Sequence, residues 1–278
     1  MANDEHRITG FLGLTPVVKN LVIINILFFF ATIALLSSSR GQLDLNEYLA
    51  LYYPGSDKFR WWQIITYMFM HANFSHIFFN MFALWMFGNI LEQVWGSKRF
   101  FTYYMVTGIG AAVVHIAVMY YQFHSLDGQI QEYMVAPNPV DFANLLNKNF
   151  KGIYNPEWFD QFVGAWSITP DSPILKQESL NSLSHLVTTK MNIPTIGASG
   201  AVFGVLLAYG LIFPNSLIYI YFLLPIKAKW FVLIYAALEF WFGVSGAGDN
   251  VAHFAHLGGM IFGYLLLLYW HKKEHRYY

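Results

Sequence analysis

Six apolar segments constrain this chain more than any other feature of it, each close to the ~20 residues a helix needs to cross a hydrocarbon layer. They run over about Pro16–Leu36, Phe74–Val94, Phe100–Tyr121, Gly197–Phe213, Trp230–Val244 and Val251–Trp270. Composition agrees: 12% of residues are charged and 56% hydrophobic, whereas an ordinary soluble domain carries about 25% charged residues. The expected fold class is all-α, a polytopic membrane bundle of six transmembrane helices. A further apolar patch, Leu217–Leu224, is too short to span, and Pro225 ends it, so it reads as a connector or interfacial piece.

Basic residues orient such a bundle. Lys and Arg fall in short loops at Arg7 and Lys19, at Lys98 and Arg99, at Lys227 and Lys229, and at Lys272, Lys273 and Arg276. With six spans these four regions share one side, while Arg40, Lys58 and Arg60 are a mild counter-signal. Both termini are therefore expected to be cytoplasmic, with the protein a multi-pass component of a bacterial inner membrane. No small-residue cleavage site follows the first apolar run, which reads as a retained helix. A net charge of zero gives no reason to expect a nucleic-acid partner. The absence of cysteine removes disulfides, thiolate catalysis and Cys-ligated zinc.

One membrane domain over 1–278 is expected, interrupted by an outer-side insert at about 122–196. That stretch is too long for an ordinary connection. It mixes Asn, Asp, Pro and Lys with apolar pairs such as Trp158-Phe159 and Phe162-Val163. An ordered insert, a membrane-surface lid and a partly disordered loop all fit it.

Polar groups inside spans are costly and therefore point to function. His76 lies near the start of the second segment, with Asn80 one turn deeper on the same face. Ser199 is in the first turn of the fourth, inside Gly197-Ala198-Ser199-Gly200. His256 is about five residues into the sixth, inside Ala255-His256-Leu257-Gly258-Gly259. All three segments begin on the outer side, so at 1.5 Å per residue the four residues fall within roughly 10 Å of that boundary. Serine, histidine and amide donors are the components of acyl transfer. Each has a plainer explanation alone. Gly197, Gly200 and Gly204 could simply line close helix contacts around Ser199. His256 could be a satisfied histidine beside Gly259 and Gly263, His71 a wetted interfacial residue, and Asn80 a link between helices. Gly259 and Gly263 are expected to form a small-residue face against Gly200 and Gly204. Phe240, Trp241 and Phe242, near the outer end of the short fifth segment, fit either a gate or an interfacial aromatic belt.

At these residues the chain resembles the rhomboid family of intramembrane serine proteases. The family pattern is H-x4-H-x3-N, then G-x-S-G, then A-H-x-x-G on three core helices. Here it reads as His71, His76 and Asn80, then Gly197, Ser199 and Gly200, then Ala255, His256 and Gly259. Phe87-Gly88 through Glu92 and Gly96-Ser97 add to the likeness, which covers about Trp62–Phe123 and Thr195–Tyr269. The resemblance implies that Ser199 is the nucleophile and His256 its general base, a dyad that needs no acid. It implies an oxyanion hole of His76, Asn80 and the Ser199 N–H, with His71 supporting the site and Phe79 near the substrate path. Transmembrane proteins would be the substrates and membrane lipid the surroundings, with no cofactor. Three departures stand out: Gln63 where an arginine is frequent, Phe203 where a tyrosine often stacks on the base, and the long insert.

Three alternatives compete with that resemblance. An aspartyl intramembrane protease would use Gly246-Ala247-Gly248-Asp249, but needs two carboxylates sharing a proton. A metal enzyme could use His71 with His76, or His253 with His256. It wants further ligands at that depth, and Glu239, the one acidic residue of the fifth segment, is placed at another; no metal is expected. A catalytically inactive relative that binds transmembrane helices is the alternative function, although Ser199 and His256 are both present.

Overall fold

The computed structural model describes residues 13–220, 223–245 and 252–274. Arg7, Asp249, Val251 and Arg276 lie outside the described residues. Nine longer helices are described: α1 (Pro16–Ser38), α2 (Phe74–Trp95), α3 (Ser97–Val135), α4 (Pro139–Asn149), α5 (Pro156–Ile168), α6 (Pro173–Met191), α7 (Ser199–Ile212), α8 (Ala228–Ser245) and α9 (His253–Glu274). The described chain is predominantly helical. Five helices, α1, α2, α3, α8 and α9, are long and apolar enough to cross a membrane.

The fourth expected span differs. With 14 residues, α7 is about 21 Å long, short of a hydrocarbon layer of about 30 Å. Its burial explains the difference. Residues 200–206 and 208–210 are all buried, so neighbouring helices rather than lipid surround α7, and its length need not match the bilayer. The patch after it also differs from a simple connector. Leu217–Ile220 (β1) and Leu224–Lys227 (β2) pair antiparallel, with Tyr219 opposite Pro225. Proline is tolerated at the edge of so small a sheet.

The described chain divides into two compact units. The first comprises residues 13–51, 61–115 and the described part of 195–278. Here α1 starts on a buried carboxylate. Glu92 accepts from the backbone N–H groups of Val17 and Val18, each at 2.9 Å, and from Thr15 Oγ1. Asn89 accepts from Thr15 N at 2.9 Å, and Ser97 donates to Glu92 at 2.6 Å. An anion at a helix N-terminus satisfies free N–H groups and complements the helix dipole. Midway along α2, Leu84–Gly88 form one π-helical turn.

Glycines set the spacing of α3, α7 and α9. A Cβ on Gly259 would overlap the carbonyl oxygen of Gly200, so α7 and α9 touch backbone to backbone. The other glycines do not extend that seam as expected. Gly200 admits Ala111 and Gly204 admits Thr107, while Gly263 admits the Tyr103 ring. Three of the four thus open α7 and α9 towards α3. The Tyr103 hydroxyl donates to Gly204 O at 2.9 Å, which makes α3 the third side of the contact.

The second unit holds residues 52–60 and 116–194. It starts inside α3, which continues to Val135, well past the Tyr121 where the third span was expected to end. Three helices follow, each opened by a capping side chain and a proline. Asn138 caps α4 ahead of Pro139, Asn155 caps α5 ahead of Pro156, and Ser172 caps α6 ahead of Pro173. Such residues satisfy free N–H groups while proline pre-sets the first helical φ. The unit has a core of its own around Trp166, Phe142, Phe150, Leu146 and Leu183. Helices α4, α5 and α6 thus occupy most of the stretch set apart as an insert.

Candidate active site

Ser199 opens α7, and the approach to it is tightly held. Leu51 and Thr195 exchange backbone hydrogen bonds at 2.9 and 2.8 Å, and Gly197 N donates to Tyr67 O at 2.9 Å. Gly197 has φ +126°, a conformation that side chains disfavour. A Cβ there would also lie 2.7 Å from His76 Nε2 and 3.6 Å from Ser199 Oγ. Gly197 therefore marks the place where His76 and Ser199 face the same small space.

From α9, His256 Nε2 lies 2.7 Å from Ser199 Oγ. The imidazole is buried. Phe203, one turn into α7, stacks on it with centroids 4.2 Å apart and planes within 3°. Gly259 is one turn beyond His256, and Gly200 follows Ser199 directly. The backbone contact between the two glycines therefore holds the two catalytic candidates at hydrogen-bond range.

From α2, Asn73 caps the helix by accepting from His76 N at 2.9 Å. The His71 ring meets the His76 ring edge-on at 5.0 Å. His71 is buried rather than wetted. Burial first, and His76 second, lower its pKa to about 3, so it is neutral. Asn80 is also buried, and its Nδ2 donates to His76 O at 2.9 Å. A second N–H remains on that amide. Phe79 and Trp241 stay on exposed surfaces of α2 and α8.

One placement reverses the expectation. Glu239 is not at another depth. Its Oε2 lies 2.9 Å from His256 Nδ1 and 2.7 Å from His253 Nδ1. Because α8 and α9 are sequential, Glu239, in the last two turns of α8 (Ala228–Ser245), and His256, in the first turn of α9 (His253–Glu274), come to the same end of the helix pair. Glu239 and His253, considered above only as possible metal ligands, are the residues missing from the expected serine site. The signal was present: a carboxylate in an apolar helix needs a partner, and His253 and His256 sit one turn apart. One ligand atom from each of Glu239, His253 and His256 lies within 4.8 Å of the others, so the trio could also hold a metal ion.

The sequence matches the family model described as Rhomboid domain over residues 58–130 and 178–273. The unmatched stretch between them takes in α4 and α5. Similarity to the rhomboid protease AarA of Providencia stuartii is 31% identity over 117 residues, 42% of this chain and 42% of that protein. Similarity to the rhomboid protease GluP of Bacillus subtilis is 31% over 70 residues, 25% of this chain and 14% of that protein. An uncharacterised mitochondrial rhomboid protein of Schizosaccharomyces pombe is 25% identical over 229 residues, 77% of this chain and 53% of that protein. The chain thus spans about half or less of the length of each of these relatives. Similar proteins include mitochondrial and chloroplastic ones, so the expected bacterial inner membrane is not supported; an integral, multi-pass membrane protein is.

Proposed function

The chain belongs to the rhomboid family, and from that premise we propose that it is an intramembrane serine protease that cleaves transmembrane substrates. The observation that carries this reading is the 2.7 Å approach of Ser199 Oγ to His256 Nε2 among apolar helices. A serine hydroxyl is a weak nucleophile until a base within hydrogen-bond reach takes its proton.

In this mechanism Ser199 Oγ attacks the scissile carbonyl carbon while His256 Nε2 accepts the hydroxyl proton. The carbonyl oxygen becomes an oxyanion. The N–H of Ser199 at the start of α7, the His76 ring and the free N–H of Asn80 supply donors for it. His256 then gives its proton to the leaving amine, and the peptide bond breaks to leave an acyl ester on Ser199. Water enters, His256 takes its proton as the hydroxide adds to the ester carbonyl, and His256 then returns that proton to Ser199 Oγ as it departs, which releases the carboxylic acid product and restores the free serine. Phe203 keeps the imidazole plane fixed throughout. The substrate helix enters beside α8, whose exposed Phe240 and Trp241 form the gate. The basic loops support a topology with both termini on the cytoplasmic face, opposite the side that holds the site.

The test is cleavage of a transmembrane reporter by purified protein in lipid, together with labelling by a fluorophosphonate. Ser199→Ala and His256→Ala should each abolish both signals while membrane insertion persists. Cleavage by purified Ser199→Ala protein would exclude the serine mechanism.

A further inference from the structure

We infer that Glu239 is a positioning residue that extends the Ser199–His256 pair into a Ser–His–Glu relay and selects the tautomer of His256. This rests on the serine-protease reading above. It departs from the dyad expected by resemblance, in which no acid orients the base.

The argument is one of donors and acceptors. An ionised carboxylate oxygen only accepts. Glu239 Oε2 lies 2.7 Å from His253 Nδ1 and 2.9 Å from His256 Nδ1; with the carboxylate ionised, each of these contacts is a hydrogen bond only when the Nδ1 atom carries the proton. A neutral imidazole with Nδ1–H has a bare Nε2. In His256 that bare atom faces Ser199 Oγ at 2.7 Å, ready to accept the hydroxyl proton. With the opposite tautomer Nε2 would already hold a proton and could not act as base. When His256 becomes an imidazolium during attack, the buried carboxylate lies against the new charge. His253 fixes the same oxygen from one turn earlier on α9, so Glu239 is held from two directions.

A hydrogen-bonded relay fits the distances better than a bound cation. Nitrogen and oxygen ligands about 2.1 Å from a tetrahedral zinc ion stand roughly 3.4 Å apart. Both observed separations are shorter and lie in the hydrogen-bond range.

Glu239→Gln removes the charge with little change of shape and allows the wrong tautomer. Reporter cleavage in liposomes, with Ser199→Ala as the blank, should show kcat lower by about 10²- to 10⁴-fold and KM within about threefold. A merely structural role would lower the thermal midpoint and the active fraction instead. Nitrogen-15 NMR of histidine-labelled protein in lipid supplies an independent reading: the His256 resonances, assigned by their loss in His256→Ala, should report Nδ1–H and bare Nε2 in the unaltered protein. Unaltered kcat in Glu239→Gln with a dead Ser199→Ala blank would overturn the relay and leave the serine mechanism standing. A bare Nδ1 on His256 in the unaltered protein would overturn it too, even if the Gln variant does not fold. Loss of activity on chelation, restored by zinc, would replace the relay with a metal site. An active Ser199→Ala protein would instead remove the premise.

Discussion

Gly259 meets Gly200 so closely that a single Cβ on Gly259 would overlap the Gly200 carbonyl oxygen. The contact lies one turn past His256 and one residue past Ser199, so helix spacing and catalytic distance are the same quantity here. Gly259→Leu should push α9 from α7 and reduce cleavage to the level of Ser199→Ala. Gly259→Ala already adds the overlapping Cβ, so it should lower cleavage as well and cost about 1–3 kcal/mol of stability or more. Full activity in Gly259→Leu would show that the seam does not set the distance.

Loss of one oxyanion donor typically costs about 2.7–4 kcal/mol in the transition state. His76→Ala and Asn80→Ala should therefore each lower kcat by about 10²- to 10³-fold, with KM little changed. Asn80 already spends one N–H on His76 O, so only its second can serve the oxyanion. Steady-state kinetics on a transmembrane reporter decide the matter, and a change confined to KM would reassign both residues to substrate binding.

Trp241 is 65% exposed and Phe79 66% exposed, so neither ring belongs to the packed core, and the proposed gate rests on their function. Trp241→Ala should raise the cleavage rate of a transmembrane substrate. A disulfide engineered between α2 and α8 should block that substrate and spare a small soluble one. Equal cleavage of the two substrates in the cross-linked enzyme would rule out entry at α8.

Acid should weaken the fold through His71. In the folded state it titrates at about 3, against about 6.5 when unfolded. Between those values the unfolded chain binds the extra proton, so stability is complete above about pH 6.5 and falls as pH drops towards 3. Thermal midpoints in detergent should be lower at pH 4.5 than at pH 7.5, with a shallower dependence in His71→Gln. Identical pH slopes would mean that other groups carry the acid sensitivity.

Trp166 is fully buried at the centre of the second unit, with ring contacts to Phe142 and Phe162 at 5.9 and 5.8 Å. Trp166→Ala should cost about 3–5 kcal/mol. Hydrogen exchange should accelerate across α4, α5 and α6, and unchanged protection there would show that these helices do not depend on a shared core.

Much of this protein was legible along the chain because the relevant signals are local. Apolar runs long enough to span produce helices wherever they occur. The spacing of His76 and Asn80 puts them on one face of α2, and the glycines around Ser199 mark a backbone that must bend and pack closely. The pairs Asn138-Pro139, Asn155-Pro156 and Ser172-Pro173 also announced helix starts, though a polar composition concealed them. What no single segment encodes is how one helix is rotated and set against the next. Glu239 lies on α8 and His256 on α9, and their partnership depends on packing angles to which many distant side chains contribute. The same holds for Gly204 and Gly263, whose missing side chains make room for α3 rather than extending the contact between α7 and α9. Local sequence determined the helices and the reactive groups they carry. Tertiary packing decided which groups meet, because hydrogen bonds require positions accurate to a few tenths of an ångström, and only the assembled bundle supplies them.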